Sequence, residues 1–216
     1  AMLVEAPGFD EHSKSLREVC VAGAPCPASV IKSYADLGLA LRQCWGMTEA
    51  GPLALLMPRR PIEGKLAASG LPSLFAKFKV VDADGHQLPD GEIGELLVKG
   101  PIVTSGYWER PDANLVAFND EGWFRSGDAS YRDDDGYFFI VDRWKDMYIS
   151  GGENVYPAEI EATLSLLDDL VESAVVGVPD PKWGEVGCAF VVRKGAATVD
   201  VPQLQRHCEQ HLARYK

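Results

Sequence analysis

Asp142-Arg143-Trp144-Lys145-Asp146-Met147-Tyr148-Ile149-Ser150-Gly151-Gly152-Glu153-Asn154-Val155-Tyr156-Pro157-Ala158-Glu159-Ile160-Glu161 is the most informative stretch of the chain. It joins a charged cluster, a two-glycine turn and a helix opened by Pro157. Proline suits the first helical position, where the N–H has no intrahelical partner. Glu159 and Glu161 near that start complement the positive end of the helix dipole. Gly151-Gly152 lets a backbone approach a ligand closely. By themselves these residues equally suit a hairpin feeding a helix, with Asp142 to Lys145 as surface charge worth little.

Downstream, Ile160, Leu164 and Leu167 keep helical spacing, and Val171 to Val178 and Cys188 to Arg193 read as strands. Asp200 then caps a helix carrying Leu204, Cys208 and Leu212 on one face. Helix, strand, strand, helix is a compact α+β unit. Upstream, from about Phe75 to Val141, short strands alternate with Asp-Gly turns. Phe78 to Val81 meets Asp84-Gly85, Ile93 to Lys99 follows Asp90-Gly91, and Tyr137 to Val141 follows Asp135-Gly136. That rhythm predicts a small antiparallel sheet or barrel. Earlier still, Leu16 to Gly23 and Leu39 to Trp45 read as strands, the second ended by Gly46. A helix between them carries Val30, Ile31, Tyr34 and Leu37 on one stripe. The change of pattern places a boundary near Arg143 to Lys145.

Composition narrows the class. The 216 residues are 46% hydrophobic and 25% charged, with a net charge of −11. These are ordinary values for a globular protein and argue against disorder or a coiled coil. No run of eighteen apolar residues exists, so no transmembrane segment is expected. An acidic chain without a basic cluster is a poor nucleic-acid binder. The five cysteines, Cys20, Cys26, Cys44, Cys188 and Cys208, show no C-x-x-C. They read as free thiols in a reducing cytoplasm. The start, Ala1-Met2-Leu3-Val4-Glu5, lacks a basic n-region, so no secretory signal is expected. His207 and His211 are spaced i, i+4 around Cys208, but the rest of a zinc set is missing, and two surface histidines is the better reading.

Two further runs carry chemistry. In Trp45-Gly46-Met47-Thr48-Glu49-Ala50-Gly51-Pro52, a hydroxyl and a carboxylate follow a strand end. Thr48 can donate to a phosphate oxygen and Glu49 can hold a hard cation. In Trp123-Phe124-Arg125-Ser126-Gly127-Asp128, the aspartate can accept from two vicinal sugar hydroxyls. Taken alone, the first is also a plain turn with Thr48 as a helix cap, and the second an Asx-turn at a strand end.

Together and in this order, the runs resemble the adenylate-forming superfamily of acyl-CoA synthetases, luciferases and peptide-synthetase adenylation domains. Trp-Gly-Met-Thr-Glu is similar to its aromatic-Gly-x-Thr-Glu motif, and Trp-Phe-Arg-Ser-Gly-Asp to its W-x-x-(Ser/Thr)-Gly-Asp motif. The stretch from Asp142 to Glu161 resembles its hinge motif nearly letter for letter. Gly23-Ala24-Pro25 fits an upstream loop. The resemblance covers essentially the whole chain. The fold it implies is α/β plus α+β: the end of a large adenylate-forming domain with a small antiparallel β-barrel-like subdomain, then a small mobile α+β C-terminal domain. The domains so implied are residues 1–142, with the β-rich part at about 75–142, a hinge at 143–146 and a small domain at 147–216.

The resemblance also implies roles. Gly23, Ala24 and Pro25 lie against adenine and the acyl pocket, Trp45 stacks near adenine, and Gly46 belongs to the same ATP/AMP-binding set. Thr48 contacts the α-phosphate and Glu49 binds Mg²⁺. Asp128 and Arg143 hold the ribose hydroxyls. Lys145 is the pivot of the small domain, and Gly151 and Gly152 line the pantetheine tunnel. Cys44, Pro52 and Leu53 line the acyl pocket. None of these three is cationic, which tilts the substrate toward a monoanionic fatty or aryl carboxylate. The implied partners are ATP, Mg²⁺, CoA and a small carboxylic acid, with a homodimer left open. The implied reaction forms an acyl-adenylate and then a CoA thioester in the cytoplasm.

Two departures stand out. Nothing matches the family's Ser/Thr/Gly-rich phosphate loop, and the chain stops at Lys216, before the family's terminal catalytic lysine segment. The expectation is the C-terminal part of a longer enzyme, inactive alone. Two other readings stay open: an acyl-AMP ligase or peptide-synthetase-type domain loading a carrier protein, and a non-catalytic remnant serving as an interaction module. The Val155-Tyr156-Pro157 form favours free-standing CoA ligases.

Overall fold

The computed structural model describes the chain except residues 1, 2, 5, 25, 27, 61, 63 and 196–198, with the backbone alone at 10, 28 and 29. It divides into two compact units, Ala1–Ile140 and Val141–Lys216.

In the first unit, α1 (Phe9–His12) and β1 (Glu18–Val21) lead into α2 (Ala28–Asp36), which crosses over to β2 (Ala40–Met47). β1 and β2 are therefore parallel, and β3 (Gly51–Leu56) and β4 (Leu71–Pro72) complete a four-stranded sheet in the order β1-β2-β3-β4. Ile31 and Tyr34, three apart on α2, are buried beside Leu39 and Leu41. The stripe ends there: Leu37 lies past the helix, exposed, before Gly38 at φ 73°.

The second sheet comprises β5 (Lys77–Val81), β6 (Gly94–Lys99), β7 (Phe124–Arg132) and β8 (Phe138–Arg143), in that order. A short helix, α3 (Pro111–Ala117), lies between β6 and β7 in sequence. The pairings of β6 with β5 and β7 are antiparallel, as the turn rhythm predicts, and the described strands form an open sheet and no closed barrel. β6 is the buried centre: Leu96, Leu97 and Val98 are fully buried in succession. Leu96 and Val98 pack into the core of Trp45, Ala54, Leu55, Val80, Phe124 and Phe138.

The second unit is a two-layer α+β fold. β9 (Tyr148–Ser150) and β10 (Glu153–Val155) form a hairpin, α4 (Pro157–Leu164) follows, then β11 (Leu170–Asp180), β12 (Gly184–Arg193) and α5 (Val201–His211). The sheet order is β10-β9-β12-β11. Tyr148, Val155, Ile160, Leu164 and Val175 form the core, with Leu204, Cys208 and Leu212 of the α5 face packed on it. Asp200 caps α5 as expected, accepting from the Gln203 N–H while the Gln203 side chain accepts from the Asp200 N–H. His207 Nε2 lies 3.0 Å from the Thr163 carbonyl, so this histidine ties the two helices together.

Tyr148 sits in a slot left by two directly opposed glycines, Gly177 on β11 and Gly187 on β12. A Cβ on Gly177 would fall 2.5 Å from the Tyr148 Cβ, and one on Gly187 would fall 2.4 Å from its hydroxyl. That hydroxyl is buried and has no hydrogen-bond partner among the described residues. Burying an unpaired hydroxyl costs about 1–3 kcal/mol. Tyr148→Phe is therefore expected to leave the melting temperature unchanged or raise it. A fall in stability of about 1 kcal/mol or more would mean that the hydroxyl has a partner.

Candidate functional site

The Trp-Gly-Met-Thr-Glu run does not end its strand at Gly46. β2 continues to Met47, because Gly46 passes directly over the backbone of β3: a Cβ there would lie 2.3 Å from the Gly51 carbonyl oxygen. The ladder shifts at this point, with Trp45 opposite Leu55 but Met47 opposite Gly51. Thr48, Glu49 and Ala50 then form the β2–β3 turn, so Thr48 caps no helix. Thr48 is exposed and Glu49 is half-buried. The Glu49 carbonyl accepts from the Thr104 N–H at 2.7 Å, and its carboxylate accepts from the Tyr107 hydroxyl at 2.8 Å. The hydrogen bond to that carboxylate first, and burial of the phenol second, push the Tyr107 pKa above its ordinary value.

The Ser-Gly-Asp run is a second irregularity, in the middle of β7 and not at a strand end. Glu95 faces Ala129 and Leu97 faces Arg125, so β7 spends extra residues at Ser126-Gly127-Asp128. Gly127 supplies the left-handed φ of 70° that such a bulge needs. The Ser126 hydroxyl closes it, donating to the Leu96 carbonyl at 2.7 Å and accepting from the Asp128 N–H at 3.1 Å. The bulge turns the Asp128 side chain inward, where it is 6% exposed.

The two irregularities meet. The Trp45 indole N–H donates to Asp128 Oδ2 at 2.7 Å, across 83 positions of sequence. Trp45 is itself buried, and Phe78 stands edge-on to its ring at 5.7 Å between centroids. A carboxylate so deep needs a donor, and the indole provides one while setting the carboxylate's orientation.

Other expected site residues are spread more widely. Gly23, at φ 91°, and Ala24 are exposed in the loop after β1, and Pro25 lies outside the described residues. This loop is tied to β2 by Gln43, buried, which accepts from the Cys26 N–H at 2.9 Å and donates to the Leu66 carbonyl at 2.7 Å. Nothing local in the sequence marks Gln43 for that task. Cys44 is buried, its thiol donating to the Val21 carbonyl at 3.3 Å and pushed up in pKa by that burial. It faces Leu56 across the ladder, whereas Pro52 and Leu53 are exposed three to four residues along β3. These three positions do not form one patch.

In the second unit, Gly151 and Gly152 are the two turn residues of the β9–β10 hairpin, at φ 61° and 92°. Positive φ at both positions is the primed turn that suits strand twist. The Gly151 N–H donates to the Trp183 carbonyl at 2.8 Å, and a Cβ on Gly151 would press on the Trp183 ring at 3.0 Å. Lys145 is exposed in a turn closed by the Asp146 N–H to the Arg143 carbonyl at 3.1 Å. Arg143 is exposed at the end of β8. Asp142 is more than surface charge: its Oδ2 accepts from the Ala158 N–H at 2.8 Å and so caps α4, whose own N-cap residue, Tyr156, provides no side-chain bond.

Glu49 is the one candidate cation ligand on the β2–β3 turn. Its carboxylate takes one hydrogen bond, from Tyr107, and keeps acceptor capacity among the described residues. Such a hard oxygen donor fits Mg²⁺. Among the described residues, Asp82, Asp84 and His86 also lie close together, in a turn held by the half-buried Asp82 carboxylate.

Residues 1–108 match the family of AMP-binding enzymes, and residues 159–216 match the AMP-binding enzyme C-terminal domain. The chain is similar to a feruloyl-CoA synthase of Amycolatopsis sp., at 46% identity over 94% of this chain and 41% of that protein. It is similar to a 2-succinylbenzoate–CoA ligase of Geobacillus sp. at 42% identity, over 97% and 42%. Among solved structures, ATP-bound MatB from Rhodopseudomonas palustris superposes with a TM-score of 0.89 at 35% identity, over 100% of this chain and 43% of that one. The o-succinylbenzoate CoA synthetase of Bacillus subtilis, in complex with its acyl-adenylate, gives 0.88 at 34%, over 94% and 41%. The chain thus spans about two fifths of the length of these relatives. The paired strand irregularities, the turn carboxylate and the two matched segments agree: the chain belongs to the AMP-binding enzyme family.

Proposed function

We propose that this chain supplies the adenylate-handling part of an ATP-dependent carboxylate–CoA ligase. The observation that carries the reading is the Trp45–Asp128 hydrogen bond, which joins two sequence-distant strand irregularities and orients the Asp128 carboxylate from the strand that leads into the turn of Thr48 and Glu49. In the reading, Asp128 accepts from the ribose hydroxyls with Arg143, and Gly23, Ala24 and Pro25 border adenine. Trp45 sets the Asp128 carboxylate and lies near the adenine. Thr48 donates to the α-phosphate, and Glu49 holds Mg²⁺. When bound, the ion supplies charge neutralisation on the phosphoryl oxygens. The substrate carboxylate attacks the α-phosphorus and pyrophosphate leaves. The thiol of CoA then attacks the acyl carbon and AMP leaves. Residues 1–142 belong to the large domain and 147–216 to the small one, with 143–146 as the hinge. Gly151 and Gly152 border the pantetheine arm.

The acid we propose is aromatic. Support comes from relatives named feruloyl-CoA synthase and 2-succinylbenzoate–CoA ligase. A cytoplasmic setting is supported by five free cysteines, and no described helix is long and apolar enough to cross a membrane. The test is a panel of ferulate, benzoate, 2-succinylbenzoate and octanoate given to the full-length enzyme with ATP, Mg²⁺ and CoA, with products read by mass spectrometry. AMP together with an aroyl or cinnamoyl-type CoA thioester is expected. ADP as product, or AMP with no thioester from any acid, would overturn the reading.

A further inference from the structure

The loop between β6 and α3 grips Glu49 at both ends. Its Thr104 N–H holds the Glu49 carbonyl, and its Tyr107 hydroxyl holds the Glu49 carboxylate. Tyr107 is in turn fixed from α3. Asn114 Oδ1 accepts from the Tyr107 N–H at 2.7 Å, and Asn114 Nδ2 donates to the Tyr107 carbonyl at 3.1 Å. The amide fits only because residue 106 is glycine, at φ 138°: a Cβ there would lie 2.9 Å from Asn114 Nδ2. Glu109, two residues after Tyr107, is the one non-glycine with positive φ among the described residues, at 52°. A loop that keeps such a conformation is over-determined by its surroundings. Rigid support therefore runs from a helix, through an amide clamp, to a phenol and then to a carboxylate on a turn.

The bond to Glu49 is not a core contact. Tyr107 is 38% exposed and Glu49 half-buried, so the pair contributes little to folding. Its effect falls on the carboxylate. A glutamate on a turn has three free side-chain torsions, and one short hydrogen bond to Oε1 selects a single arrangement and leaves Oε2 to a ligand. We propose that Tyr107, held by Asn114, is a positioning residue that sets the Glu49 carboxylate for its cation. The inference rests on the function proposed above, in which Glu49 takes Mg²⁺.

The experiment is the Mg²⁺ dependence of acid-dependent ATP–pyrophosphate exchange in the full-length enzyme at fixed ATP. Tyr107→Phe removes one hydroxyl from a partly exposed ring and is expected to raise the half-activating Mg²⁺ concentration about tenfold, the usual scale for losing an outer-shell partner of a metal ligand. Exchange at saturating Mg²⁺ and the melting temperature should stay near wild type. Asn114→Ala should shift the same constant in the same direction. In a Glu49→Gln background, Tyr107→Phe should add nothing further, because the two act as one unit. An unchanged Mg²⁺ requirement in Tyr107→Phe, with Glu49→Gln still raising it, would overturn the inference and leave the function standing. Loss of exchange in step with loss of folding would overturn it as well. No exchange in the wild-type enzyme with any acid would overturn the function itself, and the inference with it.

Discussion

Asp128→Ala is expected to weaken ATP binding by about 2–4 kcal/mol, the scale for losing charge-assisted hydrogen bonds to two hydroxyls. The same substitution leaves the buried Trp45 N–H without its acceptor, so a stability loss of about 1–3 kcal/mol should accompany it. Asp128→Asn separates the two effects. An amide oxygen can still accept from Trp45, so the melting temperature should recover most of its wild-type value. The charge is gone, so the ATP KM should remain raised by roughly tenfold. Thermal melts and ATP KM values of the two variants, in the full-length enzyme, check this. An ATP KM that is unchanged in both would remove Asp128 from the nucleotide site. Equal destabilisation in both would mean that Trp45 does not depend on the oxygen it faces.

Lys145→Pro should split the two half-reactions. Proline fixes φ near −65° and removes an N–H, and Lys145 sits exposed in the four-residue turn closed by Arg143 and Asp146. A pivot absorbs its change at a few backbone positions, so freezing one of them blocks the swing without touching the chemistry. Provided that a φ near −65° suits the adenylating pose, acid-dependent pyrophosphate exchange should stay within a few-fold of wild type. Thioester formation should fall by about tenfold or more. Single-turnover measurements of acyl-AMP formation and of its conversion by CoA would show the split. Equal loss in both steps, or no loss in either, would rule out Lys145 as the pivot.

The elements legible in the sequence are those with a local cause. Pro157 opens α4 because its missing N–H costs nothing there. Asp200 and Gln203 cap α5 reciprocally, three residues apart. β5 forms where Phe78 to Val81 reads as a strand, and it pairs antiparallel with β6. Elements whose cause is distant leave no local signal. β7 carries Ser-Gly-Asp in its middle, and the bulge there breaks the alternation that marks a strand, so the same letters suggest a turn. Gly46 suggests a strand end, although it is required inside the strand, because the reason for glycine is a backbone on β3. β3 begins with Gly51-Pro52, two residue types disfavoured in strand interiors.

The candidate site divides along the same line. Glu49 and Asp128 can be picked out by residue type and motif. Their supporting contacts cannot: Tyr107 lies 58 positions from Glu49, and Trp45, itself part of a motif, lies 83 positions from the Asp128 it orients. No local pattern marks a residue whose only task is to aim another. Asp142 is similar: in the sequence it is one charge in a cluster, and only the return of the chain at Ala158 makes it the cap of α4.

Oxygen-18 transfer tests the central claim most directly. With an aromatic acid labelled in both carboxylate oxygens, the full-length enzyme, ATP, Mg²⁺ and CoA, attack of the carboxylate on the α-phosphorus followed by thiol attack on the acyl carbon leaves one labelled oxygen in AMP and none in pyrophosphate. Mass spectrometry of the AMP should show that single label. Unlabelled AMP, or label in pyrophosphate or inorganic phosphate, would contradict the account.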